Sequence, residues 1–286
     1  ALKTQLVENL GTGWEISLSQ STIYIKKSDS SFFKLQAEDS QGNTHIKAIK
    51  DKVQRFSDLP SVAVKDFTVE VIGDQSSSFD NYYVKFIPNN TDMTFDSGVW
   101  NETVKPGIPW KFDATTMPHV LIRNADGTFT FKKADWGKRK FGDEESAPEP
   151  TFTNKKIQGL LFFKNRLGFL ADTNCIFSQT SKFFDFFPST VMTLVDSDPI
   201  DVSASSTKVS LLKAALAFQE DLILFSDQEQ FILDYGDILS PKTASITTLT
   251  SFECDPSVQP VNAGRTMFLT VNKGAYASIK EYFVDS

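Results

Sequence analysis

The strongest constraint on this chain is an internal repeat in its second half. GLLFFKNRLGFLADTNCIFSQ (159–179) resembles KAALAFQEDLILFSDQEQFIL (213–233), and VNAGRTMFLTVNKGAYASIKE (261–281) is a weaker third copy. Each reads as strand, polar turn, strand, short turn, strand. The copies recur at about 50 residues, the range of propeller blades. One such sheet cannot bury both of its faces alone, so it must pack on neighbours. Three copies are readable, whereas a closed ring takes about four or more. The missing blades are expected C-terminal to Ser286, in a longer parent chain. The absence of an initiator Met, with helix-like sequence already under way at Ala1, points the same way, to an internal fragment.

The rest of the chain agrees with a β-rich fold. Its 286 residues are enough for one large or two ordinary domains with real cores. Phenylalanine is over-used, at 26 residues, and abundant Phe, Val, Ile and Thr favour strands. The formal charge is −7 and the pI about 5.0. A general nucleic-acid binder is more often basic, although an acidic wall suits a conduit that lets DNA pass without sticking. Cys175 and Cys254 lie far apart with no CxxC and no nearby His, so a structural zinc site is not expected and two buried free thiols are. No apolar run reaches the roughly 18 residues of a membrane helix. The N-terminus shows neither a basic n-region nor an h-region, so no signal peptide is expected.

Along the chain, Leu2, Leu6, Val7 and Leu10 share one helical face, and Gly11 and Gly13 end that helix. Strands are expected at 14–19 and 22–27 as a hairpin, and at 32–36. Residues 45–56 carry helical spacing (Ile46, Ile49, Val53, Phe56) but are short and lysine-rich, so helix and extended structure both stay open. SDLP (57–60) marks a boundary, because a residue before proline is pushed out of the helical region. Strands follow at 67–72 and 82–87 around the polar turn GDQSSSFDN, then at 99–103, 119–123 and 129–132. Asp126-Gly127 supplies the turn of the last pair. KRKFGDEESAPEP (138–150) reads as a loop or linker. The expected fold class is therefore mainly β, with a β-rich N-terminal region, a short helix and then part of a β-propeller-like domain. The expected division is 1–58, a small α+β segment; 59–150, a β-rich domain; and 151–286, the first blades of an incomplete propeller.

Candidate chemistry is sparse. Asp196, Asp198 and Asp201 could open a calcium loop, but the positions that should hold a ligand, Gly and Glu hold Ile200, Asp201 and Thr207. Asp143, Glu144 and Glu145 are adjacent in a polar stretch, whereas glycoside hydrolysis needs two carboxylates about 5–10 Å apart across a cleft. Lys132, Lys133, Lys138, Arg139 and Lys140 surround Trp136, a composition that can bind single-stranded nucleic acid or form a charged hairpin edge or subunit contact. His119 precedes an apolar run with no nucleophile motif around it. No phosphate-binding glycine loop is present. Phe183, Phe184, Phe186 and Phe187 (KFFDFFP) either pack between blades or form an oligomer or partner contact. No catalytic, cofactor-binding or metal residue is assigned, and no cofactor is expected.

Several stretches carry a family resemblance: RFSDLP (55–60), VEVIGD (69–74), YYVKF (82–86), TMPHVLIR (116–123), FFKNRLGFL (162–170), SKFFDFFP (181–188), DSDPIDV (196–202) and SDQEQFIL (226–233). In this order and spacing the chain resembles the tail tubular protein B, or tail nozzle, family of short-tailed phages of the podovirus, autographivirus type, over essentially its whole length. The resemblance implies a virion structural protein. Its members form a homohexameric ring at the distal end of the tail, below the adaptor ring of tail tubular protein A. Tail fibres dock at that junction, and the lumen conducts phage DNA during ejection without sequence-specific binding. The segments that form the distal tip and gate in the family are not recognisable here. A carbohydrate-binding or carbohydrate-cleaving tail module acting on host surface polysaccharide is the alternative function. A propeller scaffold unrelated to phages fits the motif order less well.

Overall fold

In the computed structural model, residues 1–42, 44–73, 81–206 and 208–283 are described. The chain is mainly β. It divides into two compact units: Ala1–Ile108 with Phe141–Ser146, and Pro109–Lys140 with Ala147–Ser286. Most of the polar turn expected between 73 and 81 lies outside the described residues.

The first unit opens with helix α1 (Leu2–Leu10). Gly11 ends it at φ 74°, a left-handed value that glycine adopts without steric cost, and the Gly11 N–H donates to the Val7 carbonyl. None of the helix's residues is buried. Strands β1 (Trp14–Ser19) and β2 (Thr22–Lys27) form an antiparallel hairpin that pairs Ile16 with Ile25 and Leu18 with Ile23. The expected strand at 32–36 is absent. Instead the Lys50 ammonium lies 3.7 Å from the Phe32 ring centroid and donates to the Phe33 carbonyl at 2.8 Å. A side chain thus takes an acceptor that a partner strand would have used. Residues 45–56 form no α-helix: they contain the short strand β3 (Lys52–Val53) among bends, and Phe56 opens a single 3-10 turn (Phe56–Asp58).

The main sheet of this unit adds β4 (Val62–Val64), β5 (Thr68–Val71), β6 (Tyr82–Pro88) and β7 (Phe95–Thr103), in the order β3-β5-β6-β7-β4. The β3–β5 pair is parallel and the others antiparallel. Alternation along β5 and β6 turns Val69, Val71 and Val84 inward onto Val53. Trp100 packs edge-on against Phe86 and donates its indole N–H to the Pro60 carbonyl at 2.7 Å. This half-buried tryptophan is thereby satisfied at its one polar atom.

The second unit begins with a hairpin of β8 (His119–Arg123) and β9 (Phe129–Lys133). Three antiparallel meanders follow. The first holds β10 (Ile157–Phe163), β11 (Arg166–Ala171), β12 (Asn174–Phe177) and β13 (Ile200–Ser203). The second holds β14 (Ala214–Phe218), β15 (Asp221–Phe225), β16 (Gln230–Asp234) and β17 (Ser245–Thr250). The third holds β18 (Val261–Ala263), β19 (Thr266–Lys273) and β20 (Tyr276–Phe283). Lys164 and Asn165, both at positive φ, make the two-residue turn from β10 to β11.

Packing follows the two-residue period of the strands. Leu170, Cys175 and Phe177 of the first meander meet Leu222, Leu224, Phe231 and Leu233 of the second. The opposite face of the second meander sends Ile223 and Phe225 onto Met267, Leu269 and Val271 of the third. The opposite face of the first sends Phe169, Ala171 and Ile176 onto Phe152, Phe186, Trp136 and Met117. The two four-stranded sheets are thus covered on both faces, which explains why β11 and β15 read as nearly unbroken apolar runs.

Candidate functional site

The residues singled out by sequence do not converge on one place. Several are held by local structural tasks. Arg166, at the start of β11, is the largest fully buried side chain. Its guanidinium donates to the carbonyls of Ser178, Asp198 and Asp196 at 2.7 Å each and to that of Leu239 at 3.3 Å. Burial pulls its pKa down, and the nearby Asp198 charge offsets part of that shift. Arg166 therefore pins both ends of the long loop between β12 and β13. Asp198 closes the loop from inside. One carboxylate oxygen accepts the Ser189 N–H and hydroxyl, and the other accepts the Val195 N–H. Asp201 points elsewhere and accepts from Thr151 and Asn174. Asp196 faces Lys242 at 3.9 Å on the surface. The three aspartates thus serve three separate contacts, and among the described residues no group of three His, Cys, Asp or Glu side chains could hold a metal ion. Thr207, the twelfth position of the supposed calcium loop, lies outside the described residues.

The KFFDFFP cluster divides in two. Phe186 and Phe187 are buried, and Phe186 lies 5.0 Å from Phe152 and 5.4 Å from Phe169 by ring centroid. Phe183 and Phe184 remain partly exposed, with Phe183 edge-on to Phe162. The buried pair does not sit between two of the repeated sheets, as packing between blades would require. It covers the first meander against Phe112, Met117, Trp136 and Phe152. Gly137 makes this approach feasible: its N–H donates to the Phe184 carbonyl, and any Cβ there would collide with Asp185.

The basic cluster around Trp136 is also taken apart. Trp136 is in the core and donates to the Pro118 carbonyl, so its face is not offered to a base. Arg139 turns inward, donates to the carbonyls of Ala147 and Pro109, and lies over the Phe187 ring. His119 contacts the Met117 carbonyl through Nδ1 and stacks on Phe131. Both cysteines are free and buried; burial pushes the Cys175 thiol strongly up, which keeps it from ionising.

Asp143 forms a turn clip, accepting the Glu145 and Ser146 N–H groups and the Ser146 hydroxyl. Burial pushes its pKa up, but these hydrogen bonds outweigh that and leave it lowered. Nearby lies a pocket of about 190 Å³ lined by Glu70, Asn81, Tyr83, Lys105 and the 143–145 acids. Burial and the adjacent Glu70 push the Tyr83 phenol up to about 12. Glu70 itself is held by Lys52 at 2.8 Å and accepts a hydrogen bond from the Asn81 amide, so its charge in this pocket is already paired.

Sequence reasoning did not single out the exposed apolar strips. Leu121, Phe129 and Phe131 on the β8–β9 hairpin, and Leu160 and Phe162 on β10, are all more than half exposed. Ile279 and Phe283, which share one face of β20, are also more than half exposed, as is Tyr276 on the other face. Among the described residues no helix is long and apolar enough to cross a membrane.

Stacked meanders, polar residues tied into the backbone and exposed apolar strips are features of a structural protein, with no catalytic grouping evident among the described residues. The sequence matches the family model of the bacteriophage nozzle protein over residues 1–286. It is also 33% identical over 287 residues to the tail tubular protein gp12 of Escherichia phage T7, covering 99% of this chain and 35% of that protein. The chain belongs to the bacteriophage nozzle protein family and is a component of the virion tail. It spans about a third of the length of the curated relative it matches.

Proposed function

We propose that the chain is part of a nozzle ring at the distal end of a short phage tail, a ring that conducts DNA during genome ejection. The observation that carries this reading is the family match along the whole chain. Residues 151–286 are the first blades of an incomplete β-propeller in this reading. Three successive antiparallel meanders, stacked face to face in chain order, support it. Residues 1–58 then form a small α+β segment of a larger domain, and 59–150 a β-rich domain. The ring is a homohexamer, sits below an adaptor ring of tail tubular protein A with tail fibres at the junction, and contacts passing DNA without reading its sequence. Its work is mechanical and needs no cofactor and no catalysis. Closely packed sheets suit it because their interiors are dense and barely compressible.

Native mass spectrometry of the full gene product, with electron cryomicroscopy of virions, tests the proposal. The expected result is a six-copy mass and density at the distal tip of the tail. A purely monomeric product, or density confined to the capsid, overturns it. Release of reducing sugar from host capsule by the purified protein would favour the polysaccharide-cleaving alternative instead.

A further inference from the structure

The β8–β9 hairpin is a largely exposed two-stranded ribbon that meets the core through Val120. Val120 packs onto the Trp136–Phe186 cluster, and the Trp136 indole ties the base of the ribbon to Pro118. The register places Leu121 opposite Phe131 and Arg123 opposite Phe129 on the other face. There Leu121 is 64% exposed, Phe129 62% and Phe131 70%. A two-stranded ribbon in water is marginal by itself, and three large apolar side chains on one open face mark a contact surface.

Charge identifies the occupant. Residues 119–133 carry Arg123, Lys132 and Lys133 against Asp126, a net +2 in a chain of −7, so the remainder of the chain carries −9. Arg123 and Lys133 flank the apolar face, and among the described residues neither lies within 4.0 Å of a carboxylate, although Lys133 is near enough to Asp113 to lower its pKa. An apolar centre with a cationic rim is complementary to an acidic surface, and a second copy of this chain offers one. Two hairpins facing each other would oppose their own cations. The contact is therefore heterologous, hairpin onto a different patch, and heterologous contacts generate rings.

We propose that the β8–β9 hairpin docks its Leu121–Phe129–Phe131 face onto a neighbouring copy of the same chain and so links successive subunits. The inference rests on the ring reading above and adds the element that makes the contact. The test places a photo-crosslinking phenylalanine analogue at Phe129 in the full gene product. The expected result is a species of twice the subunit mass whose crosslinked peptide lies outside 119–133 of a second copy. A crosslink within the same chain, between two hairpins or to a different protein overturns the proposal, as does no crosslink in an assembled sample. As a second measurement, Arg123→Glu with Lys133→Glu should raise the midpoint concentration for assembly by about tenfold or more, since like charges then meet across the contact. Both side chains are on the surface, so thermal unfolding followed by circular dichroism should not move. Assembly unchanged in this variant counts against the proposal. Native mass spectrometry of the unaltered product separates the two failures. A monomer there removes the ring reading itself, whereas a ring with the wrong crosslink removes only the hairpin's role.

Discussion

Replacing Arg166 with methionine removes a buried set of donors while keeping most of the side chain's length. Three of its hydrogen bonds are 2.7 Å long and all run to backbone carbonyls of one loop. Hydrogen bonds to a charged group contribute about 1.5–3 kcal/mol each, so the lower end for three gives a loss of about 4–5 kcal/mol. Exchanging a buried charge for an apolar side chain is often neutral when its partner is removed as well. Here the acceptors are main-chain carbonyls and cannot be removed, so they are left buried and unpaired. Arg166→Lys keeps a charge but loses the planar fork, and about half of the loss is expected. Denaturant unfolding followed through Trp136 fluorescence reads the unit concerned. The chain has two units, so a single transition is not to be assumed for the whole molecule. A loss below about 1 kcal/mol in Arg166→Met would refute the reasoning and show that the loop between β12 and β13 finds other donors.

Glu229 is nearly inaccessible and accepts hydroxyl hydrogens from Ser206 and Ser210, which hold its pKa below the usual carboxylate value. A depressed folded pKa contributes stability above the unfolded value of about 4.3, and that contribution is lost as pH falls through the folded value. Melting temperatures from pH 7 towards pH 3 should therefore fall less steeply in Glu229→Gln than in the parent; parallel acid limbs would contradict the assignment. Gly98 on β7 faces the Ile87 carbonyl, the Pro88 Cα and the Phe86 ring so closely that a methyl group would collide with main-chain atoms. Gly98→Ala should cost about 3 kcal/mol, the upper range for overpacking. Denaturant unfolding followed through Trp100 checks it, and a neutral substitution would mean that β6 and β7 can separate without penalty.

Strands β1, β2 and β8 are legible to the residue because their signals are local: alternating side chains, and Asp126-Gly127 at the turn after β8. The failure at 32–36 has the opposite origin. Phe32 and Phe33 have strand chemistry, but Lys50, seventeen residues away, occupies their faces and a carbonyl. Nothing in a local window reports that. The same holds for β13 and β17, which complete the two four-stranded sheets after long connections. The repeat shows three strands per copy, and the fourth depends on a distant return of the chain. The apolar hairpin face was hidden for a different reason. Val120 and Ile122 are as hydrophobic as Leu121, so composition does not tell which side of the ribbon meets the core.

The acids are where structure most changes the sequence reading. An excess of Asp and Glu suggested a field suited to passing DNA, but many of the aspartates have a local task. Asp29, Asp113, Asp126, Asp143 and Asp255 each accept the N–H of the residue two positions on. At Asp29 the N–H contact is the largest influence, at Asp113, Asp126 and Asp255 the hydroxyl of the same Ser or Thr comes first, and at Asp143 burial is largest but is outweighed, so all five carboxyls are held below the ordinary range. Asparagine makes the same turn, but an ionised acceptor makes the stronger hydrogen bond, and at an exposed turn the charge costs little to keep hydrated. A β-rich chain with many tight turns therefore acquires negative charge as a by-product of making them. These five acids sit at separate turns along the chain instead of in one cluster. In the proposed ring, a diffuse acidic surface of this kind would keep a polyanion from adhering without any residue being dedicated to the purpose.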